Sequence, residues 1–298
     1  MSKTSPNSRP VITQEMIKAY DEYTHLTLDR RGFMRQLNKL AGSSAAAAAI
    51  VPLLQANGAR AALVAPDDSR ISSETVRFQG ATSKVEGYLV RPAGNTDKLP
   101  AILVVHENRG LNEHLRDVAR RLAIAGYMAM AVDFLSPVGG TPDDEDEARQ
   151  KIRALDAQQT LQNAEEAVAY LGIRADSTGA VGAIGFCWGG YLVNNLAVVS
   201  PELKAAVSYY GRQPDTTLVP QISAALLLHY AGLDDRINAG IEDFRSALTD
   251  HGKDFTIYMY EGVNHAFNND TSEARYDEKA AELAWKRTLA FFKEKLQS

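Results

Sequence analysis

The chain has 298 residues, 45% of them hydrophobic and 23% charged, an ordinary globular composition with enough length to bury a sizeable core. A formal net charge of −5 gives no reason to expect nucleic acid or an anionic membrane as a partner. With one cysteine, an internal disulfide and a Cys-rich zinc site are both excluded, and the thiol of Cys187 is left to be explained.

Residues 1–65 read as an N-terminal extension. Within it, "DRRGFMRQL" (29–37) carries Arg30-Arg31, Phe33, Met34 and Arg35, and an Ala-rich stretch follows. This resembles the twin-arginine export signal of bacteria, with Ala59, Ala61 or Ala65 as small residues for cleavage. The resemblance implies use of the twin-arginine export machinery and a periplasmic or secreted location. Asp29, where Ser or Thr is usual, and the upstream acids Glu15, Asp21 and Glu22 depart from it. The same residues have helical spacing, so the alternative is a retained helical arm on a cytoplasmic protein. The longest apolar run, 40–54, contains Gly42, Ser43, Ser44 and Pro52 and falls short of the ~20 apolar residues that span a bilayer.

A polar, turn-rich connection at 65–73 leads into the main domain, placed at 72–298. "KVEGYLVRP" (84–92) alternates and predicts an edge strand, while the continuous apolar run 100–107 predicts a buried one. A helix over 111–126 and a strand over 127–134 follow. The stretch 141–172 predicts one long helix, with Thr141 as N-cap, Pro142 at its first position and acids in its first turn. Glu145 with Arg149 and Glu147 with Lys151 are i,i+4 pairs that support it, so these acids read as a solvated helix start. Then come strand 179–186, helix 188–199, strands 204–211 and 223–232, helix 238–252, strand 254–262 and a helix over 272–296. Strand and helix in alternation predict an α/β domain: a mostly parallel sheet with helices on both faces.

In such a sheet, ligands gather at the carboxyl ends of the strands. Gly185-Phe186-Cys187-Trp188-Gly189 is G-x-C-x-G, the spacing of a nucleophile elbow with sulfur in place of oxygen. The glycines are needed because the central residue adopts φ > 0 and side chains two positions away would collide across the turn. The helix opening at Trp188 points its positive end at the thiol. The Trp188 backbone N–H then offers one oxyanion donor, with a second expected near Glu107 or Asn108. Cysteine, acid and histidine follow in the chain order of an elbow-type triad, with His265 as base and acid and Asp234 orienting it; Asp235 is the alternative acid. His25, His114 and His251 read as surface or helix-end residues, and His106 and His229 as core.

The motifs "VVHENRGLNEHLRDVARRLAIAGYMAMAVDFL", "GAIGFCWGG", "AGLDDRIN" and "GVNHAF" resemble the dienelactone hydrolases (carboxymethylenebutenolidases) of the α/β-hydrolase superfamily, over about residues 72–298. The resemblance implies an α/β-hydrolase fold and the triad Cys187, Asp234 and His265. It also implies that Glu107 pairs with the cysteine and helps to form thiolate. Family members that act on dienelactone hold the substrate carboxylate with arginines, one of them shortly after the histidine. Here no arginine follows His265 until Arg275, which leaves Arg109, Arg212 and Arg236 as candidates. The expectation is a cysteine hydrolase of carboxylic esters or lactones, acting on a small molecule with no metal or organic cofactor. A general small-acyl esterase or thioesterase is the enzymatic alternative, and a binding protein on the same fold the non-enzymatic one.

Overall fold

A computed structural model describes residues 10–25, 27–55 and 62–297. Of the cleavage candidates, Ala59 and Ala61 lie outside the described residues. Three helices precede the sheet: α1 (Gln14–Thr24), α2 (Arg30–Ala41) and α3 (Ser44–Leu54). Each begins at an oxygen-bearing N-cap, Thr13, Asp29 and Ser43. Asp29, the residue that departs from the export pattern, accepts from the Gly32 N–H at 2.6 Å. The three helices bury an apolar cluster of their own, which includes Met16, Tyr20, Phe33, Leu37, Ile50 and Leu54. Among the described residues no single helix is long and apolar enough to cross a membrane; α2 and α3 approach it only as a pair bent by 112°.

The strands are β1 (Ile71–Gln79), β2 (Lys84–Pro92), β3 (Leu99–Val105), β4 (Met128–Asp133), β5 (Ser177–Phe186), β6 (Leu203–Tyr209), β7 (Ala225–Ala231) and β8 (Phe255–Tyr260). They form one sheet in the order β1-β2-β4-β3-β5-β6-β7-β8. β1 and β2 run antiparallel to their neighbours, and all pairings from β4 to β8 are parallel. Its helices are α4 (Glu113–Ile124), α5 (Glu145–Ala154), α6 (Ala157–Ile173), α7 (Trp188–Val199), α8 (Asp235–Asn238), α9 (Ile241–Asp250) and α10 (Glu278–Leu296). One face of the sheet packs on α6, α7 and α9, the other on α4 and α10. β3 shows why the central strands are apolar throughout: Leu103 and Val105 face one layer, Ile102 and Val104 the other.

Several expectations needed correction. β2 is internal, not an edge strand, because β1 pairs along its whole length. β1 itself, "ISSETVRFQ", went unread: only Ile71, Val76 and Phe78 are buried, too sparse an alternation to register. The single helix over 141–172 is two helices, capped by Asp144 and Asp156. Thr141 caps neither; its hydroxyl donates to Asp133 Oδ1 at 2.8 Å and accepts from the Leu111 N–H at 2.9 Å. The Glu145–Arg149 and Glu147–Lys151 pairs are present, at 3.4 and 3.2 Å. The helix expected over 238–252 is α9, preceded by the unexpected short helix α8, and the last helix starts at Glu278, leaving 261–277 as a long loop beside the site.

Candidate active site

Cys187 sits between β5 and α7 with φ 55° and ψ −115°, a left-handed conformation that a side-chain-bearing residue adopts only when its surroundings enforce it. The neighbouring glycines do the enforcing. A Cβ on Gly185 would lie 2.1 Å from the Gly189 carbonyl oxygen, and one on Gly189 would lie 2.5 Å from the carbonyl oxygens of both Val105 and His106. The turn therefore folds onto itself and onto the end of β3 with no room for a methyl group. Trp188 opens α7, whose first-turn N–H groups have no partner within the helix and point toward the sulfur's side of the turn. Its indole stacks on His106, ring centroids 5.2 Å apart. His106 is a structural residue: its Nδ1 donates to the Glu107 carbonyl at 2.6 Å and its Nε2 accepts from the Phe134 N–H at 3.2 Å. His229 is likewise a core residue between Tyr260 and Thr288.

From β7, Asp234 caps α8 and places Oδ2 2.5 Å from His265 Nδ1, while Asp235 is exposed. That contact fixes the proton on Nδ1 and leaves Nε2, buried and without a protein hydrogen bond, for chemistry. Cys187, Asp234 and His265 are thus brought together at the ends of β5, β7 and β8. Among the described residues, three non-glycine residues have positive φ: Cys187, Tyr210 and Ala266, all at this rim. The Tyr210 ring packs 4.9 Å from that of His265, and its buried hydroxyl has no partner.

Sequence reasoning missed His25. It is the C-cap of α1, so "helix end" describes its place, but its ring is in the site: Nε2 lies 3.3 Å from Cys187 Sγ. Nδ1 is 2.8 Å from the Asp21 carbonyl oxygen and 3.4 Å from Asp21 Oδ1. The side-chain donor atoms of His25, Cys187 and His265 all lie within 4.8 Å of one another. No sequence rule links residues so far apart. His114, also read as a surface residue, is buried, with Nδ1 2.9 Å from Asp270 Oδ1.

Electrostatics follow from this packing. Burial pushes the Cys187 thiol up, but the imidazoles of His265 and then His25 outweigh it and bring it down to about 6. Burial lowers both histidines, and their anionic neighbours reverse it: Asp234 and Cys187 raise His265 well above its ordinary value, and Asp21 and Cys187 raise His25 to about 9. The site therefore favours a thiolate beside imidazolium.

The remaining candidates divide. Glu107 is buried, and its Oε2 accepts from Asn269 Nδ2 at 2.8 Å. Burial raises its carboxyl, but Arg109, then His114 and Arg275, hold it below the usual range. The hydrogen-bonding neighbour that the structure gives the sulfur is His25, where the resemblance implied Glu107. Asn108 lines the cavity over the sulfur, and its Nδ2 donates to the Thr24 carbonyl at 2.8 Å. Arg212 also lines that cavity; Arg109 does not, being buried with Nη1 3.3 Å from Glu145 Oε1. Arg275, the first arginine after His265, is buried over the Tyr20 ring, with Nη1 3.9 Å from Asp21 Oδ1. The cavity holds about 890 Å³, and its described lining residues include four arginines (149, 153, 212 and 236) and no carboxylate.

Comparison with known proteins agrees with this architecture. The model of the family described as "Dienelactone hydrolase family" matches residues 85–296. A protein of Escherichia coli O157:H7 named "Putative carboxymethylenebutenolidase" is 31% identical over 246 residues, covering 77% of this chain and 89% of the relative. A Bradyrhizobium protein named "Probable 2-oxo-3-(5-oxofuran-2-ylidene)propanoate lactonase" is 32% identical over 224 residues, covering 69% of this chain and 88% of the relative. The crystal structure titled as a "Putative Dienelactone Hydrolase" from Klebsiella pneumoniae superposes with a TM-score of 0.68 at 28% identity, covering 74% of this chain and 98% of the other. With its α/β-hydrolase sheet and the family match spanning most of that sheet, the chain belongs to the dienelactone hydrolase family.

Proposed function

We propose that this protein hydrolyses carboxylic esters or lactones of small anionic acids, with Cys187 as nucleophile, His265 as proton shuttle and Asp234 as the group that orients it. The observation that carries the reading is the sulfur held at positive φ beside an imidazole whose far nitrogen is fixed by a buried carboxylate. The thiolate attacks the carbonyl carbon, forming the S–C bond as the π pair moves to oxygen. The N–H groups of Trp188 and Asn108 are the proposed donors to that oxyanion. Collapse breaks the bond to the leaving oxygen, which takes the proton from His265. Neutral His265 then removes a proton from water, hydroxide attacks the thioester, and thiolate departs with the acid. The arginines lining the cavity, Arg212 among them, supply the positive field that an anionic substrate needs, as the lactonase-named relative would suggest.

The test is turnover of aryl acetates, simple lactones and dienelactone by the wild type and by Cys187→Ala, with iodoacetamide treatment as an independent block. Loss of all turnover in both is expected. Hydrolysis that survives Cys187→Ala sinks the nucleophile; simple-ester turnover without lactone turnover moves the assignment to a general esterase. Tight ligand binding without turnover moves it to a binding protein. Export through the twin-arginine machinery is a separate proposal, supported by Arg30 and Arg31 being exposed at the start of α2. Fractionation of expressing cells checks it, and a purely cytoplasmic pool would overturn it.

A further inference from the structure

Two imidazoles, from opposite ends of the chain, meet one sulfur. His265 arrives on the loop after β8 with Nδ1 on Asp234; His25 arrives on α1 with Nδ1 on Asp21, and its Nε2 is 3.3 Å from Sγ. The rings are edge to face, 4.7 Å between centroids at 89°. A histidine that merely filled space would not match His265 in having Nδ1 held by an acceptor while its ring faces the sulfur, and His25 goes further, with Nε2 in hydrogen-bonding reach of Sγ. The segment is also tied down on both sides of His25's helix. Tyr23 Oη donates to Asp146 at 2.5 Å, and Asn108 Nδ2 reaches the Thr24 carbonyl at 2.8 Å.

We propose that His25 is a second catalytic imidazole, carried into the active site by the N-terminal arm, whose charge holds the Cys187 thiolate at rest and again as it is expelled from the thioester. His265 keeps the proton shuttle, so the balance of the hydrolysis is unchanged. The assignment rests on Cys187 being the nucleophile and adds to that reading a group from outside the family-matched residues 85–296.

The charged and titratable groups that face the pair support it. α1 presents Asp21, whose carboxyl burial pushes up but His25, His265 and Arg275 hold well down, so it stays anionic behind His25. Arg236 from α8 and Arg275 from the loop before α10 stand 3.9 Å from the same carboxylate and balance it. Arg109, after β3, and Tyr210, after β6, also act on the Cys187 charge, and Glu107 acts on both of them. With His25 raised to about 9 and the thiol lowered to about 6, imidazolium and thiolate coexist between those two values.

The experiment is the pH dependence of Cys187 alkylation by iodoacetamide in the full-length wild type, His25→Gln and Asp21→Asn, with far-UV circular dichroism to verify the fold. It needs no ester turnover. Alkylation that titrates as expected in a protein without hydrolytic activity would therefore remove the function and leave the pairing standing. Loss of one charge partner should move the thiol midpoint upward by about one pH unit in His25→Gln, so that alkylation falls about fivefold at pH 6 and approaches a tenfold loss below about pH 5. A smaller shift in the same direction is expected for Asp21→Asn. Ester turnover should fall with thiolate fraction in both. A folded His25→Gln whose alkylation profile overlays the wild type overturns the proposal. Should that variant not fold, Asp21→Asn decides by the same criterion.

Discussion

At the scale of single residues, the site depends on atoms that are missing as much as on those present. Gly189→Ala would put a methyl group 2.5 Å from two carbonyl oxygens of the neighbouring strand's end, and neither can move without breaking the turn. Its cost should exceed the ~1–3 kcal/mol of ordinary overpacking, read as a lowered denaturation midpoint together with lost activity. The thiol gives a second expectation. Because its ionisation is shifted down to about 6, activity governed by thiolate should be present above that pH and be lost as pH falls through it, not through 9. A profile of kcat/KM against an uncharged aryl acetate checks this, and an acid limb near 9 would contradict the thiolate–imidazolium pair.

At the scale of elements, α8 and α1 each do two things. Asp234 both caps α8 and holds His265, so Asp234→Asn separates the roles: asparagine caps as well as aspartate, but it no longer fixes the imidazole. Circular dichroism and thermal stability should stay near wild type while kcat falls by about 10²–10⁴-fold. For α1, Tyr23→Phe deletes the hydroxyl that reaches Asp146 on α5, a charge-assisted bond of about 1.5–3 kcal/mol. Limited proteolysis around residues 25–30 should quicken, and activity should drop with it. The elements also show where the sequence could be read and where it could not. The central parallel strands were legible because burial on both faces leaves them apolar throughout, and Cys187 and Asp234 because each follows such a strand; His265 follows the edge strand β8, of which only Tyr260 is buried, and was legible from chain order. The polar edge strand β1 lacked that signal. The break at Leu155–Asp156 was invisible because no glycine or proline marks it; a single aspartate ends one helix's run by capping the next. His25 had no signal at all, since what gives it meaning is a contact across 162 residues.

At the scale of the whole molecule, the two readings of the N-terminal segment make opposite demands. An export signal is removed after use, while an arm that supplies His25 must remain. Intact-mass measurement of the active protein from its cell fraction distinguishes them: the active species should retain residues 10–54. Full activity in a chain beginning after Ala65 would show that the arm is dispensable. The meeting of His25, Cys187 and His265 has a further consequence during synthesis. While the ribosome has released β5 but not yet the loop after β8, the thiol lacks the imidazole that contributes most to its ionisation. A half-made chain therefore lacks the larger of the two charges that lower the thiol, although His25 has already been made. The full lowering of the thiol is expected once the last strand has brought His265 to the sulfur, so a stalled chain should be alkylated more slowly than the finished one.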